Sequence, residues 1–338
     1  MKKLHSLIFE VSLEHKYLPE AEVISTLRAE KIRFEIEEKA NGILCIDLYC
    51  DLDSVIKRLK ERLALTHAID IELAKGKNLN FCIKKIRIEK NKSFCVRARR
   101  ICSAYKELSL KEIEKEVGGE LRKYGKVSLT SPHSVVRVIL SDKIYIGLEK
   151  ARINRGEYEK RKAHFRPFFL PVSLHPRIAR AIVNLSCVKK GQKLYDPFCG
   201  TGGLLIEAGL IGAKIIGSDI DERMVYGALE NLSIYGLSGK IFSSDVGEGI
   251  EEKVDAIVCD PPYGRSSSTM KEKIENLYSR AFEKFRKILK KDGKVVIILP
   301  DKKYIPIGEK YFLIKENYSL KVHKSLTREI CVYANYNN

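Results

Sequence analysis

The second half of the chain alternates short apolar runs that close on an acid or a serine with stretches of helical period. That alternation constrains the fold more than any other feature. Strands separated by helices lie parallel, with the helices covering both faces of the sheet. Residues 166–338 therefore predict a doubly wound parallel sheet with strands Lys193–Asp196, Lys214–Asp219, Gly239–Ser243, Ala256–Cys259 and Lys294–Leu299. An antiparallel pair is expected at the end, around Tyr311–Tyr318 and Glu329–Tyr333. Ligands of such sheets bind beyond the carboxyl ends of the strands, so the residues there are the first functional candidates.

Four successive strand ends each deliver an acid. The first runs into Asp196-Pro197-Phe198-Cys199-Gly200-Thr201-Gly202-Gly203, a glycine-rich turn that lets a ligand approach the backbone. The dinucleotide fingerprint GxGxxG is not met, because Leu205 takes the place of its last glycine. An acid at position 196 suits a cationic amino group such as the ammonium of S-adenosylmethionine and would repel a pyrophosphate. The second strand ends in Asp219-Ile220-Asp221, with Asp219 placed 19 residues after Gly200, the offset of a ribose-binding acid. The third leads into Asp245, a candidate for an adenine amino group. The fourth opens into Asp260-Pro261-Pro262-Tyr263-Gly264-Arg265. There an acid and a proline carbonyl can accept hydrogen bonds from an NH2 group. The prolines stiffen the loop and remove two backbone donors, and the tyrosine offers a planar base a stacking surface.

Each acid taken singly could be a helix N-cap, and Asp-Pro-Pro also occurs in plain turns. Four in succession, in register with the glycine turn, point instead to methyl transfer from S-adenosylmethionine onto an amino group. Cys199 lacks a matching His and Asn arrangement for nucleophilic chemistry and reads as a packing residue in the cofactor turn.

The first half is a mixed α+β region. A strand is expected over Ser6–Leu13, a helix over Pro19–Ala29, and a hairpin of Arg33–Ala40 with Ile43–Tyr49 around Asn41-Gly42. A helix over Leu52–Leu63 follows, with Leu52, Val55, Ile56, Leu59 and Leu63 on one face. Phe94–Arg100 reads as a strand, Ser109–Tyr124 as an amphipathic helix, and Val135–Leu140 with Lys143–Leu148 as a second hairpin. The chain carries a net charge of +18, and its distribution is uneven. Residues 84–162 hold 22 Lys and Arg against 10 Asp and Glu, while residues 1–83 hold 13 against 14. A concentrated basic excess fits a polyanion such as nucleic acid, with Arg97, Arg99, Arg100 and Arg265 as candidate contacts.

Other classes are disfavoured. No run approaches the length of a membrane span, and the N-terminal stretch is too interrupted for a signal peptide. Nine cysteines without a CxxC pair suggest free thiols in a reducing cytoplasm and no metal site.

DPFCGTGG followed by DPPYG resembles the amino-directed class of S-adenosylmethionine-dependent methyltransferases. FRPFFLPVSLHPRIARAIVNLS, residues 165–186, is similar to the segment ahead of the first strand in tRNA guanosine N2-methyltransferases, and Ser325-Leu326-Thr327-Arg328 resembles their final hairpin. The first half resembles a ferredoxin-like domain followed by a THUMP domain, FCVRARR being its clearest piece; Ser131-Pro132-His133 departs from the acid expected after proline there. The chain is thereby identified as a member of the THUMP-containing family that includes the archaeal enzymes methylating guanosine 10 of tRNA.

The resemblance implies an α/β protein with a Rossmann-like methyltransferase sheet. Its divisions would be a ferredoxin-like domain (1–52), a THUMP RNA-binding domain (53–150), a linker (151–165) and a methyltransferase domain (166–338). Asp260, Pro261 and Tyr263 would act on the substrate base. Asp196, Cys199, Gly200, Thr201, Gly202, Asp219, Ile220 and Asp245 would hold S-adenosylmethionine. The implied partner is tRNA, with no DNA and no membrane, and by analogy the family admits a small activating subunit. The alternatives left open are an adenine-directed or ribosomal-RNA enzyme and a non-catalytic RNA-binding protein.

Overall fold

The computed structural model describes residues 3–171, 173–264, 272–323 and 326–336. It divides into two units, Met1–Glu20 with Lys31–Glu61 and Leu65–Asn154, and Ala21–Glu30 with Arg62–Ala64 and Arg155–Asn338.

The first half runs β1 (Lys3–Val11), α1 (Leu18–Ala29), β2 (Arg33–Ala40), β3 (Ile43–Cys50), α2 (Leu52–Arg62), β4 (Thr66–Gly76), α3 (Leu79–Lys85), β5 (Phe94–Arg100), α4 (Leu110–Leu121), β6 (Ser134–Leu140) and β7 (Ile144–Arg152). Its seven strands form one sheet in the order β2-β3-β1-β4-β7-β6-β5. Gly42 turns the expected hairpin with φ of 73°, a conformation a residue without a Cβ adopts freely. β4 and α3 were not anticipated from the sequence. β4 pairs with β1 on one side and β7 on the other, so the sheet runs unbroken past residue 52. The ferredoxin-like βαββαβ order closes only at Gly76. Strand β5 then pairs parallel with β6. Its first three residues are buried, while Arg97 and Arg99 are exposed.

Residues 151–165 carry short elements of secondary structure. Ala151 and Arg152 complete β7, α5 spans Gly156–Glu159, and a 3-10 turn covers Ala163–Phe165. Tyr158 is buried and donates its hydroxyl to the Leu63 carbonyl at 3.1 Å.

The second half continues with α6 (Pro176–Leu185), β8 (Lys193–Asp196), α7 (Gly203–Leu210), β9 (Lys214–Asp219), α8 (Glu222–Ser233), β10 (Gly239–Ser243), β11 (Val254–Cys259), α9 (Ile274–Ile288), β12 (Leu289–Leu299), α10 (Ile305–Glu309), β13 (Leu313–His323) and β14 (Leu326–Ala334). The sheet order is β10-β9-β8-β11-β12-β14-β13. β10, β9, β8, β11 and β12 are mutually parallel, and β14 runs antiparallel between β12 and β13. This is a Rossmann-like α/β sheet. From β8 the chain winds outward to β9 and β10, then returns to β11 on the other side of β8. That reversal makes the carboxyl ends of β8 and β11 the topological switch point, where open α/β sheets bind ligands.

The core beside β11 fixes α9. Phe282 lies 5.3 Å from the Tyr333 ring and 5.8 Å from Phe285, both edge-on, in a cluster with Phe312 and Tyr278. Each such ring is worth about 2 kcal/mol or more by burial. The packed helix then delivers Tyr278, whose hydroxyl donates to the Pro262 carbonyl at 3.0 Å.

Candidate active site

At the end of β8, Asp196 is buried and accepts the Phe198 backbone N–H at 3.1 Å. Among the described residues no cation lies within ion-pair distance of it. Burial, aggravated by Asp219 and Asp260 nearby, pushes its carboxyl well above the usual range. The following turn is held open by two left-handed glycines, Gly200 at φ 49° and Gly202 at φ 79°. A Cβ at Gly200 would meet nothing within 4 Å, so the space over that backbone is free. Cys199 is buried and donates its N–H to the Ser218 carbonyl at 2.9 Å. Thr201 is buried and its carbonyl accepts from Asn231. The Cys199 thiol is raised far from thiolate formation by burial and the two neighbouring acids, which removes a nucleophilic role.

At the end of β9, Asp219 accepts the Gly200 N–H at 2.9 Å on Oδ2 and the Asp221 N–H at 3.1 Å on Oδ1. A carboxylate accepts more than two bonds, so it stays competent toward a hydroxyl pair. Burial raises its pKa. Ile220 beside it is 39% exposed, leaving an apolar surface where an aromatic ring can rest. Beyond β10, Asp245 accepts the Gly247 N–H at 2.8 Å and pairs with Arg280 at 2.5 Å. Arg280 also binds Glu272 at 2.7 Å. Asp245 is therefore held low in pKa, by Arg280 first. It is a pinned carboxylate, where the sequence suggested a free acceptor.

The loop after β11 departs most from expectation. Tyr263 donates its hydroxyl to Asp260 Oδ1. Arg328 Nη1 lies 3.5 Å from Asp260 Oδ2, and its guanidinium covers one face of the Tyr263 ring at 4.8 Å. Burial pushes the Asp260 carboxyl up to about 6, with Arg328 and the Tyr263 hydroxyl opposing the rise. Gly264 closes the loop at φ 80°. Arg265 lies outside the described residues.

Asp196, Asp219 and Asp260 thus converge at the switch point, close enough for the charges of Asp219 and Asp260 to raise the pKa of Asp196. A cluster of one buried and two partly buried carboxylates, with open backbone beside it, fits a ligand carrying positive charge. The donor set matches S-adenosylmethionine, which brings an ammonium, a sulfonium and a ribose diol. Arg328, Tyr278 and Arg280 were not singled out as site residues from the sequence. They stand on elements remote in the chain, and only Arg328 lay within a stretch marked beforehand.

Residues 163–330 match the RMKL-like methyltransferase domain family. The tRNA (guanine(10)-N2)-dimethyltransferase of Methanothermobacter thermautotrophicus is 39% identical over 334 residues, covering 95% of this chain and 97% of that protein. The chain belongs to this family. The Methanocaldococcus jannaschii protein of the same name is 40% identical over 261 residues, covering 73% of this chain and 72% of that protein. TrmN from Thermus thermophilus has the same fold, with a TM-score of 0.54 at 20% identity over 98% of this chain and all of that one. As a member of this family the chain is an S-adenosylmethionine-dependent methyltransferase.

The three strand-β5 arginines divide on inspection. Arg97 donates to the Leu129 carbonyl at 3.0 Å and is exposed. Arg99, also exposed, pairs with the buried Glu10 at 2.7 Å. Arg100 turns inward, giving one nitrogen to the carbonyls of Tyr105 and Leu108 at 2.8 and 2.5 Å. Its Nη2 closes a loop, while its Nε is buried without a partner among the described residues.

Proposed function

We propose that the chain transfers one or two methyl groups from S-adenosylmethionine to the exocyclic N2 of guanine 10 in tRNA. The observation that carries this is Asp260, a partly buried carboxylate at the switch point, beside an acid set suited to the donor. Bound there, S-adenosylmethionine supplies an electrophilic methyl group. Asp196 takes its ammonium, while Cys199, Gly200, Thr201 and Gly202 present backbone to its methionine part. Asp219 receives the ribose hydroxyls, Ile220 packs on the adenine, and Asp245, fixed by Arg280, bounds the adenine end.

Asp260 and the Pro261 carbonyl accept the two hydrogens of the guanine N2. This group is a poor nucleophile because its lone pair is delocalised into the ring. Two acceptors favour a pyramidal nitrogen, and Asp260 takes up a proton, which the asparagine of many adenine-directed relatives does not. Tyr263 stacks the base on the ring face away from Arg328. The target leaves its own stack to reach this loop, and orientation supplies much of the rate.

The ferredoxin-like stretch, which closes at Gly76, and the THUMP stretch after it, through residue 150, with residues 151–165 following, grip tRNA through shape and phosphate contacts. Arg97 and Arg99 are the proposed contacts there, and Arg265, next in sequence after Gly264, is a further one. No helix among the described residues is long and apolar enough to cross a membrane, and a cytoplasmic setting follows from a tRNA substrate. A small activating subunit is a further proposed partner, and DNA is not. Nucleoside mass spectrometry of a tRNA transcript incubated with the chain and donor tests the reading. N2-methylated guanosine that disappears when position 10 is changed is expected. Methylated adenosine, or an unmodified transcript with bound donor, overturns it.

A further inference from the structure

Of the three converging acids, only Asp260 has a cation within ion-pair distance among the described residues. That cation comes from β14, two strands along the sheet from β11. β14 is antiparallel to β12, with Leu299 opposite Glu329. Arg328 therefore stands at the start of β14 but at the edge where the parallel strands end. It is 8% exposed, and its Nε is buried without a hydrogen-bond partner among the described residues. Its guanidinium touches two groups at once, the Asp260 carboxylate and the Tyr263 ring. The Tyr263 hydroxyl closes the triangle on the other Asp260 oxygen.

We propose that Arg328 is a positioning residue of the transfer step, holding the Asp260 carboxylate and the Tyr263 ring in one fixed arrangement before the base arrives. The role rests on the reading of the site as a guanine methyltransferase. A planar, always-charged guanidinium is the group suited to it, since it lies flat on an aromatic face and still presents N–H donors sideways. One face of Tyr263 is then occupied and the other is left for a planar base. Arg328 also opposes the burial that drives Asp260 toward protonation. The other groups around Asp260 do not replace this charge. Tyr263 adds a neutral hydroxyl, Asp196 on β8 is a like charge, Cys259 precedes it as a buried thiol, and Tyr278 on α9 is kept neutral by burial and by Asp260 itself.

The test uses the full chain, a tRNA transcript and labelled donor, with steady-state kinetics across the acid limb of the pH profile. In Arg328→Met the limb of kcat/KM moves up by about one pH unit and kcat falls roughly tenfold or more. Donor affinity by calorimetry stays within about threefold of wild type, since no donor contact is removed. Arg328→Lys keeps the limb near the wild-type position and recovers only part of kcat, because an ammonium cannot lie flat on the ring. An unmoved limb in Arg328→Met with kcat within about twofold overturns the proposal. Donor binding lost in step with activity in both variants also overturns it, because the residue would then be merely structural. Should Arg328→Met not fold, the double variant Arg328→Lys with Tyr263→Phe decides. Losses that multiply overturn the shared role, and losses that overlap sustain it. A wild type that leaves guanine unmethylated refutes the functional reading instead, so the two failures are distinguishable.

Discussion

Each seven-stranded sheet buries acids, and the two treat them differently. In the first, Glu10 on β1 and Asp70 on β4 are buried beside Arg137 on β6. Arg137 binds both Asp70 oxygens at 2.9 and 3.1 Å and also Glu10, and Arg99 adds a second cation to Glu10 at 2.7 Å. The guanidinium reaches them across β7, where its paired residue is Gly147. A Cβ on Gly147 would come within 2.5 Å of Asp70, so the crossing needs a bare backbone. In the second sheet, Asp196 and Asp219 have no cation within ion-pair distance among the described residues, and Asp260 has Arg328 alone. A buried charge that is paired and hydrogen-bonded holds structure, whereas a buried charge left short of cations is a binding site in waiting.

The largest expected effect tests the second kind of acid. Asp260→Asn should lower kcat by roughly 10³-fold, within the range for a lost proton acceptor. Donor affinity should change little. The same substitution should stabilise the fold. Asp260 has a folded pKa of about 6, raised from 3.8. Its favourable contribution is complete below the unfolded value and is lost as pH rises through about 6, so at neutral pH the ionised group is a burden. Allowing for partial exposure, asparagine should recover on the order of 2 kcal/mol at pH 8 and much less at pH 4. Thermal unfolding at the two pH values checks this, and equal shifts would remove the strain from Asp260.

Arg137→Met is the counterpart in the first sheet. It strands the buried Asp70 and leaves Glu10 with Arg99 alone, and should destabilise by about 3 kcal/mol, read as a lower unfolding temperature of the unit containing β6. Adding Asp70→Leu and Glu10→Met should restore much of the loss, because a matched apolar replacement removes the need for pairing. Methyl transfer to the same tRNA by any folded fraction should keep its kcat. A drop in kcat without a drop in stability would erase the contrast between the two sheets.

Much of this contrast was legible beforehand, but only on one side. β8, β9, β10 and β5 fall within the expected limits because each is a short run punctuated by an acid, a serine or a basic stretch. The ends of β8, β9 and β11 named Asp196, Asp219 and Asp260 together. β4 was missed because the face carrying Thr66, Ala68, Asp70, Glu72 and Ala74 looks solvent-facing by pattern, though Asp70 is buried. Its partner Arg137 lies 67 residues away, and periodicity carries no signal for a pair closed only by the fold. The Asp245–Arg280 and Asp260–Arg328 pairs escaped for the same reason. Tyr263 was singled out for stacking, while the cation on its ring face stands 65 residues onward in the chain, where a sequence pattern could not connect it.

Asp219→Ala asks how far a single acid carries the donor. It removes the acceptor proposed for the ribose and also frees the Gly200 N–H that shapes the turn. Loss of one charged hydrogen-bonding group is worth about 1.5–3 kcal/mol, so donor Kd should rise roughly tenfold to a hundredfold. The saturated kcat should fall far less than in Asp260→Asn. A Kd unchanged in calorimetry would take Asp219 out of the ribose role.

The smallest effect separates the paired and free arginines of β5. If Arg97 and Arg99 each neutralised one phosphate, reversing both to Glu would flatten the salt dependence of tRNA binding by about two units of slope. The geometry argues for less. Arg99 already neutralises the buried Glu10, so its net field at the surface is weak, whereas Arg97 is held by the neutral carbonyls of Val96 and Leu129. Arg97→Glu alone should therefore give most of the change, about one unit. Arg99→Glu should chiefly lower stability by placing two acids together. Measuring log Kd against log salt for each single variant separates these outcomes. Equal slopes for the two would show that the ion pair with Glu10 opens when RNA binds, and that the buried acids of the first sheet are less settled than their pairing implies.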